Sequence, residues 1–549
     1  MKKENFIETL RLEKLRKLQK IIFLNPKRPA DRTYNINVTL SEQTPLERNI
    51  KDTRPQKCPR HYDISKLPSV SVVIPFYNDA LSMLLRTVHS VLMRTPATLL
   101  KEVIIVDDHS QNEDLHEPLE KYIKLLDRKV HLIRMSKREG LIRARLTGAK
   151  IATADVLMFQ DAHTESNVQW AEPLLHEILK NPKVVIQPHV DQIEQFTLEY
   201  IGNAGPVPRG GFSWDLRYVW MEMPQHEARR VMFQHEFVAH RTPTLVGCAF
   251  AIRKDFFFSI GGFDDDMQIW GAENIELGFR GWMCGGEVLN HPCSRVAHTF
   301  KPFAYSFDGH REKIVQKNQM RLAEVWMDDW KKFFLASTNS WPTKHVSFTV
   351  EEKTSLEKRK IMKKNLKCKS FKWFMENIIP EVPTPPMNAV YYGEVFNLMS
   401  ELCFYITSKK YVGLTSFCFF HRLLPKNLFH IDTDKRLIYR NRCVRIDNTT
   451  KLLRLGECTS LDFYPKENWD VARHSEVEGM MYVDVQEGAD KPVERLCATQ
   501  VTNIFPIHYG KQMPQLLPCN TNDRFQKWRW TYKFNFTYDW DHYTTSIEE

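Results

Sequence analysis

In the stretch Val156-Leu-Met-Phe-Gln-Asp161-Ala-His163, a short apolar run ends in a carboxylate and an imidazole one residue apart. Side chains alternate along an extended segment, so Asp161 and His163 would project together from the end of a buried strand. That is where open α/β sheets place their ligands. An oxygen ligand beside a nitrogen ligand suits a borderline divalent ion such as manganese. His298 ends a second apolar-patterned segment, Cys293-Ser-Arg-Val-Ala-His298, and could supply a third ligand. Asp108 closes the run Glu102-Val-Ile-Ile-Val-Asp-Asp108, either as a site carboxylate or as a helix or turn cap. Trp270 offers a flat face for a sugar ring or base, or is a core tryptophan. Glu273, Glu276 and Arg280 recur at i, i+3 and i+7, on one side of a helix opening near Ala272.

These side chains need a sheet to hold them. Val70-Ser-Val-Val-Ile74, Glu102-Val-Ile-Ile-Val106, Lys129-Val-His-Leu-Ile133 and residues 156–159 read as strands. Residues 81–92 and 140–152 carry helical periodicity between them, and strand, helix, strand at this spacing is the βαβ unit of a parallel sheet. There is no Gly-x-Gly-x-x-Gly and no Gly-x-x-x-x-Gly-Lys, which excludes dinucleotide and P-loop chemistry. Residues 170–179 predict a helix, 184–186 a strand, and 245–252 a return to the sheet. Between the last two, residues 200–245 form a loop-rich insertion of the kind that is often functional.

The chain has 549 residues, room for more than one domain at about 150 residues each. With 42% hydrophobic and 26% charged residues it is expected to fold around ordinary cores. A net charge of +10 is compatible with nucleic acid, a membrane surface or an anionic donor. The absence of an arginine-rich arm or zinc-finger spacing sets nucleic acid aside. None of the eleven cysteines forms a Cys-x-x-Cys pair, which argues against zinc ribbons and thioredoxin chemistry. From Cys403 onward they come as three spaced pairs, the pattern of small disulfide-closed units. Asn37-Val-Thr39, Asn448-Thr-Thr450 and Asn535-Phe-Thr537 are glycosylation sequons and agree with a secretory compartment. No run approaches the roughly 18 apolar residues of a membrane span, and the basic start lacks a signal-peptide core.

Together the motifs resemble one family. Ser71-Val-Val-Ile-Pro-Phe-Tyr-Asn78, Leu84-Leu-Arg-Thr-Val-His-Ser-Val91, Val106-Asp-Asp108, Glu139-Gly-Leu-Ile-Arg-Ala-Arg145, Phe159-Gln-Asp-Ala-His163, Trp270-Gly-Ala-Glu-Asn274, Trp282-Met-Cys-Gly-Gly286 and Leu322-Ala-Glu-Val-Trp-Met-Asp328 occur in the order found in polypeptide N-acetylgalactosaminyltransferases. The resemblance implies an α/β GT-A type glycosyltransferase domain at 67–374, after a stem or linker at 1–66. A docked helix is the alternative for the amphipathic stretch 6–24. It further implies a linker at 375–390, a ricin-type β-trefoil lectin at 391–535 and a tail at 536–549.

The implied activity is transfer of GalNAc from UDP-GalNAc to Ser/Thr hydroxyls of polypeptide or glycopeptide acceptors, with retention. The alternative is a weakly active or inactive relative that binds donor or glycoprotein and regulates glycosylation. The resemblance assigns Mn²⁺ to Asp161, His163 and His298, and the UDP-sugar to Asp108, Arg138 and the backbone at Ala162. Trp270, Lys301 and Tyr305 would contact the donor from the far side, and Glu273 would position the sugar. Asp161, Glu273 and Trp270 are thus the expected catalytic residues. The family implies the Golgi lumen with membrane association, though no transmembrane segment is present in this sequence. Cys58–Cys293, Cys284–Cys368, Cys403–Cys418, Cys443–Cys458 and Cys497–Cys519 would pair, leaving Cys248 free.

Several positions depart from the family pattern. Lys301 stands for an arginine, Asp79 for a glutamate in Tyr77-Asn-Asp-Ala80, and Ala272 for a glycine. Gly247-Cys248 stands for Gly-Gly, and Asp308-Gly-His310 for Pro-Gly-Gly. In the trefoil, Cys403-Phe-Tyr405, Cys443-Val-Arg445 and Cys497-Ala-Thr499 all lack the aspartate of the sugar-binding Cys-Leu-Asp. A Gln-x-Trp element survives at Gln526-Lys-Trp528, with a degraded version at Glu467-Asn-Trp469. An intact trefoil that does not hold GalNAc in the usual pockets is expected.

Overall fold

Val70–Phe76 (β1) is buried at every position, as a strand covered on both faces must be. It pairs in parallel with Leu100–Asp107 (β2) and with Val156–Gln160 (β4), while β2 pairs in parallel with Val130–Arg134 (β3). The structure is a computed structural model that describes residues 13–18, 34–203, 208–232, 237–301, 307, 310–337, 348–416, 418, 427–447, 449–458, 468–473, 477–485, 492–502 and 510–534. Two compact units divide it: 1–211, 222–327 and 348–374 in one, and 212–221, 328–347 and 375–549 in the other.

The first unit adds Thr164–Ser166 (β5), Val184–Ile193 (β6), His240–Arg241 (β7), Ala249–Arg253 (β8) and Glu287–His298 (β9). The sheet runs β7-β9-β6-β8-β4-β1-β2-β3, with β5 on β9. β9 and β6 run parallel, whereas β8 is antiparallel to both its neighbours. The expected strands and helices are present; β6 is longer than its apolar core, because alternating buried polar residues extend it. Helix Leu81–Arg94 (α1) follows β1, and Leu141–Ile151 (α2) precedes β4. Gly148 brings α2 close to β1: a Cβ there would lie 2.4 Å from Val73 Cγ1. The insertion at 200–245 is not all loop, for it holds strands Arg209–Phe212 and Tyr218–Met221 and helix Gln225–Met232.

Residues 34–66, expected to be part of a stem, are instead folded into this unit. Asn37 caps the helix Val38–Gln43 by accepting from Leu40 N at 2.9 Å. Arg48 clasps both oxygens of Glu165 at 2.9 and 2.6 Å, and the disulfide Cys58–Cys293 closes the segment onto β9. Of the stretch 6–24, residues 13–18 are described; they are helical, and Leu15 joins the main core. The unit also holds Cys284–Cys368, and Cys248 is free and buried, as expected.

From Ala389 to Lys533 the second unit is a β-sheet in which every strand pairing is antiparallel, consistent with a ricin-type lectin fold. Its core gathers Tyr391, Phe404, Phe429, Trp469, Trp528 and Trp530. Three hairpins carry the three cysteine tripeptides: Cys403–Ile406 with Val412–Thr415, Arg442–Ile446 with Leu453–Gly456, and Glu494–Thr502 with Gln512–Pro518. Cys443–Cys458 and Cys497–Cys519 are bonded. Cys403–Cys418 is not: both thiols are free and point to the Thr415 carbonyl, at 3.7 and 3.0 Å. Gln526 donates to Thr499 Oγ1 and to the Pro518 carbonyl, both at 3.0 Å, so a hydroxyl fills the place of the missing carboxylate. Arg445 turns onto the carbonyls of Glu457 and Cys458. Asn448, Glu467 and Asn535 lie outside the described residues.

Three histidines sit buried on neighbouring strands of the first unit. Burial pushes His189 and His291 down to about 3 and His240 down to about 4. All three are neutral when folded and take up a proton near 6.5 when unfolded. Stability is therefore full above pH 6.5 and falls by about 1.4 kcal/mol per pH unit for each histidine, down to about pH 4 for His240 and about pH 3 for His189 and His291. Urea unfolding of the first unit should show a lower midpoint at pH 5.5 than at 7.5, and a His240→Asn variant a shallower pH slope.

Candidate active site

Strand register assembles the metal-ligating candidates. Asp161 follows β4, where its N–H donates to the Cys248 carbonyl at 2.9 Å and fixes the strand end against the start of β8. β5 pairs with β9 so that His298 lies opposite Thr164, and Thr299 N donates to the His163 carbonyl at 3.1 Å. One ligand atom from each of Asp161, His163 and His298 lies within 4.8 Å of the others. The imidazoles meet edge to face at 4.8 Å, and His298 Nε2 is 3.5 Å from Asp161 Oδ2.

The charges around this cluster are unevenly set. Arg145, on α2 and fully buried, donates to Asp161 Oδ1 at 2.7 Å and to the Gly247 carbonyl at 2.6 Å. Burial works against ionisation of Asp161, but Arg145 and the histidines outweigh it and hold the carboxyl below its ordinary range. Burial pushes His298 down, so its imidazole is neutral and free to ligate. One carboxylate and two imidazoles, with the carboxylate ionised and His298 neutral, are a fitting donor set for a divalent ion. Glu273 opens helix Glu273–Met283 (α3), lies 4.0 Å from Arg145 Nη1 and accepts from Gly271 N at 2.8 Å. Its burial raises the carboxyl despite Arg145. Glu276, one turn on, is taken up by Arg280 and Trp326, each bond 2.8–2.9 Å, and belongs to the core.

A cleft of about 440 Å³ opens beside the cluster, lined by Arg145, Trp270, Glu273, His298, Phe300 and Lys301 among others. A narrower extension runs past Asp108, Arg138 and Ala162. Asp108 accepts from Glu139 N and Gly140 N at 2.7 and 2.8 Å, so it anchors a turn, and it also lines the cleft. Burial raises its carboxyl in spite of those two donors. The Arg138 guanidinium stacks on Tyr77 at 3.8 Å. Gly140, at φ +92°, meets Ile269 so closely that a Cβ would sit 2.3 Å from the Ile269 Cα, and Leu141 N donates to the Ile269 carbonyl. That contact joins the Asp108 turn to the segment carrying Trp270.

Residues 71–257 match the family model "Glycosyl transferase family 2", and 228–302 match "N-terminal domain of galactosyltransferase". Polypeptide N-acetylgalactosaminyltransferase 3 of Mus musculus is 34% identical over 93% of this chain and 79% of its own length. The enzyme of the same name from Taeniopygia guttata is 38% identical over 70% of this chain and 63% of its own length. The chain belongs to the polypeptide N-acetylgalactosaminyltransferase family. The solved structure "Crystal structure of GalNAc-T7 with UDP, GalNAc and Mn2+" superposes with a TM-score of 0.61 at 29% identity, covering 92% of this chain and 91% of that one.

For a polypeptide N-acetylgalactosaminyltransferase, the expected site residues Asp108, Arg138, Asp161, Ala162, His163, Trp270, Glu273, His298 and Lys301 all line this joint cleft. Tyr305 lies outside the described residues. Sequence reasoning missed Arg145 and Asp79 as site residues. Arg145 was visible only as one of two arginines in Arg143-Ala-Arg145, and helical phase separates them: Arg143 donates outward to the Asp265 carbonyl. Asp79 was visible only as a departure from the family's glutamate; it contacts His163 Nδ1 at 3.1 Å and Lys301 Nζ at 3.3 Å. Burial opposes its ionisation, yet Lys301 and His163 drive its carboxyl far below the ordinary range.

Ala272, where the family has glycine, caps α3 at φ +69°, ψ −11°. A Cβ in the left-handed region costs about 1–2 kcal/mol, of which glycine's extra unfolded-state freedom returns part. Ala272→Gly should raise the stability of the first unit by about 0.5–1 kcal/mol in urea titrations. A lowered midpoint would show that Ala272 is not strained.

Proposed function

We propose that this chain transfers GalNAc from UDP-GalNAc to Ser and Thr hydroxyls of polypeptides, with retention, and so starts mucin-type O-glycosylation. The observation that carries the reading is the convergence of Asp161, His163 and His298 on one cleft in a chain of this family. The presence of UDP, GalNAc and Mn²⁺ in the GalNAc-T7 structure supports Mn²⁺ and UDP-GalNAc as its metal and donor. Asp161, His163 and His298 would hold the ion, which when bound stabilises negative charge on the departing diphosphate. Asp108, Arg138 and the Ala162 backbone would hold the nucleotide, and Lys301 would add positive charge near the leaving group, with Tyr305 beside it. Trp270 and Glu273 would flank the sugar.

Asp161 and Glu273, the two carboxyls this reading sets beside the ion and the sugar, both face Arg145, at 2.7 and 4.0 Å. This supports attack by the acceptor hydroxyl from the front face, assisted by the departing phosphate, over a carboxylate nucleophile. The four disulfides support an oxidising compartment, which we take to be the Golgi lumen. We also assign the lectin unit no GalNAc binding in its usual pockets. Thr499, bonded to Gln526, and Arg445, bonded to backbone, support that reading.

Incubation with UDP-GalNAc, Mn²⁺ and a Ser/Thr peptide library should give transfer in the wild type and none in Asp161→Ala. UDP binding without transfer in the wild type would favour the regulatory alternative and reject the enzyme. A glycopeptide titration should reveal no GalNAc-competed binding that depends on the lectin unit; finding it would reject the silent-trefoil assignment.

A further inference from the structure

Asp79 has no part in the chemistry above, yet its two partners do. It lies three residues beyond β1, and its side chain is 11% exposed. Oδ1 faces both His163 Nδ1, at 3.1 Å, and Lys301 Nζ, at 3.3 Å, while Oδ2 accepts from Tyr77 N at 3.4 Å. An imidazole has two ring nitrogens, and one that ligates a metal donates its other N–H to a carboxylate, carbonyl or water. With Nδ1 taken by Asp79, Nε2 is the nitrogen His163 can offer an ion. His298 is built differently: its Nδ1 is buried with no hydrogen-bond partner among the described residues, and its ring is held by packing, 4.6 Å from Phe300. The two imidazoles are therefore unequal at Nδ1, where His163 meets a carboxylate and His298 meets none among the described residues.

We propose that Asp79 is a positioning residue of the metal site, holding His163 in the tautomer and ring orientation that turn Nε2 toward the ion. The inference rests on reading Asp161, His163 and His298 as a Mn²⁺ site. Lys301 and His163 meet the same oxygen of Asp79 from separate side chains, so the two partners can be separated by substitution. If Asp79 merely anchored Lys301, removing the lysine would reproduce the loss of Asp79.

The test is Mn²⁺ titration of the whole chain without donor, following free Mn²⁺ by electron paramagnetic resonance and the bound ion by its nitrogen couplings. Asp79→Ala should weaken Mn²⁺ binding about 10–100-fold and change one imidazole coupling, while the metal-free protein still unfolds in a single cooperative transition. Asp79→Asn, which keeps an acceptor oxygen without the charge, should fall between Asp79→Ala and wild type. Lys301→Met should bind Mn²⁺ at least as tightly as wild type. Asp79→Ala binding within about twofold of wild type, or Lys301→Met losing as much as Asp79→Ala, would overturn the positioning role alone. A wild type that binds no Mn²⁺ would overturn the metal site and this inference with it.

Discussion

One buried guanidinium sets the electrostatics of this protein's cleft. Arg145 reaches Asp161 at 2.7 Å, Glu273 at 4.0 Å and the Gly247 carbonyl at 2.6 Å. Two carboxyls buried side by side would otherwise resist ionising together. The closer contact favours Asp161, which is held low, while Glu273 is raised by its own burial. The cleft thus contains one firmly ionised acid, fit to ligate, and one whose carboxyl burial raises above its ordinary value. Removing Arg145 would leave Asp161 buried without its strongest compensating charge, the costly half of breaking a buried pair.

That arrangement depends on packing well away from the chemistry. Arg145 is aimed by α2, and α2 approaches β1 at the distance Gly148 allows against Val73. The same helix is capped by Gly140, whose backbone lies against Ile269 and so joins the turn held by Asp108 to the segment bearing Trp270. Residues 34–66 contribute from the other side: Arg48 neutralises Glu165 on β5, beside the strand pairing that brings His163 to His298. Disulfide Cys58–Cys293 ties this segment to β9 itself. Its charged composition reads as a linker, yet its sparse apolar residues, Tyr34, Ile36 and Val38, are enough to form a small core with Ala80, Met83 and Ile193.

The second unit follows the same logic with a different outcome. Its aromatic core and hairpins keep the expected architecture, while at two of the three tripeptides the residue in the aspartate's place, Arg445 or Thr499, is bonded within the chain. Fold and ligand pocket are separable because one rests on buried apolar alternation and the other on a single carboxylate per repeat.

What the sequence determined by itself was local: the parallel-sheet strands from continuous apolar runs, and α3 from its i, i+3, i+7 pattern. Asp161 and His163 do converge, but across a turn between β4 and β5 and not by alternation in an extended segment. Membership of the family was legible too, because eight motifs recur in order. The tertiary structure decided what depends on pairing distant residues. Sequence could not choose Arg145 over Arg143, since that requires the rotation of α2 against the sheet. It could not place Asp79 on His163, 84 residues away, or fold 34–66 onto the core. It paired Cys403 with Cys418 where the thiols remain free. Periodicity reports which way a side chain leaves its own backbone; only the sheet's register reports what it meets.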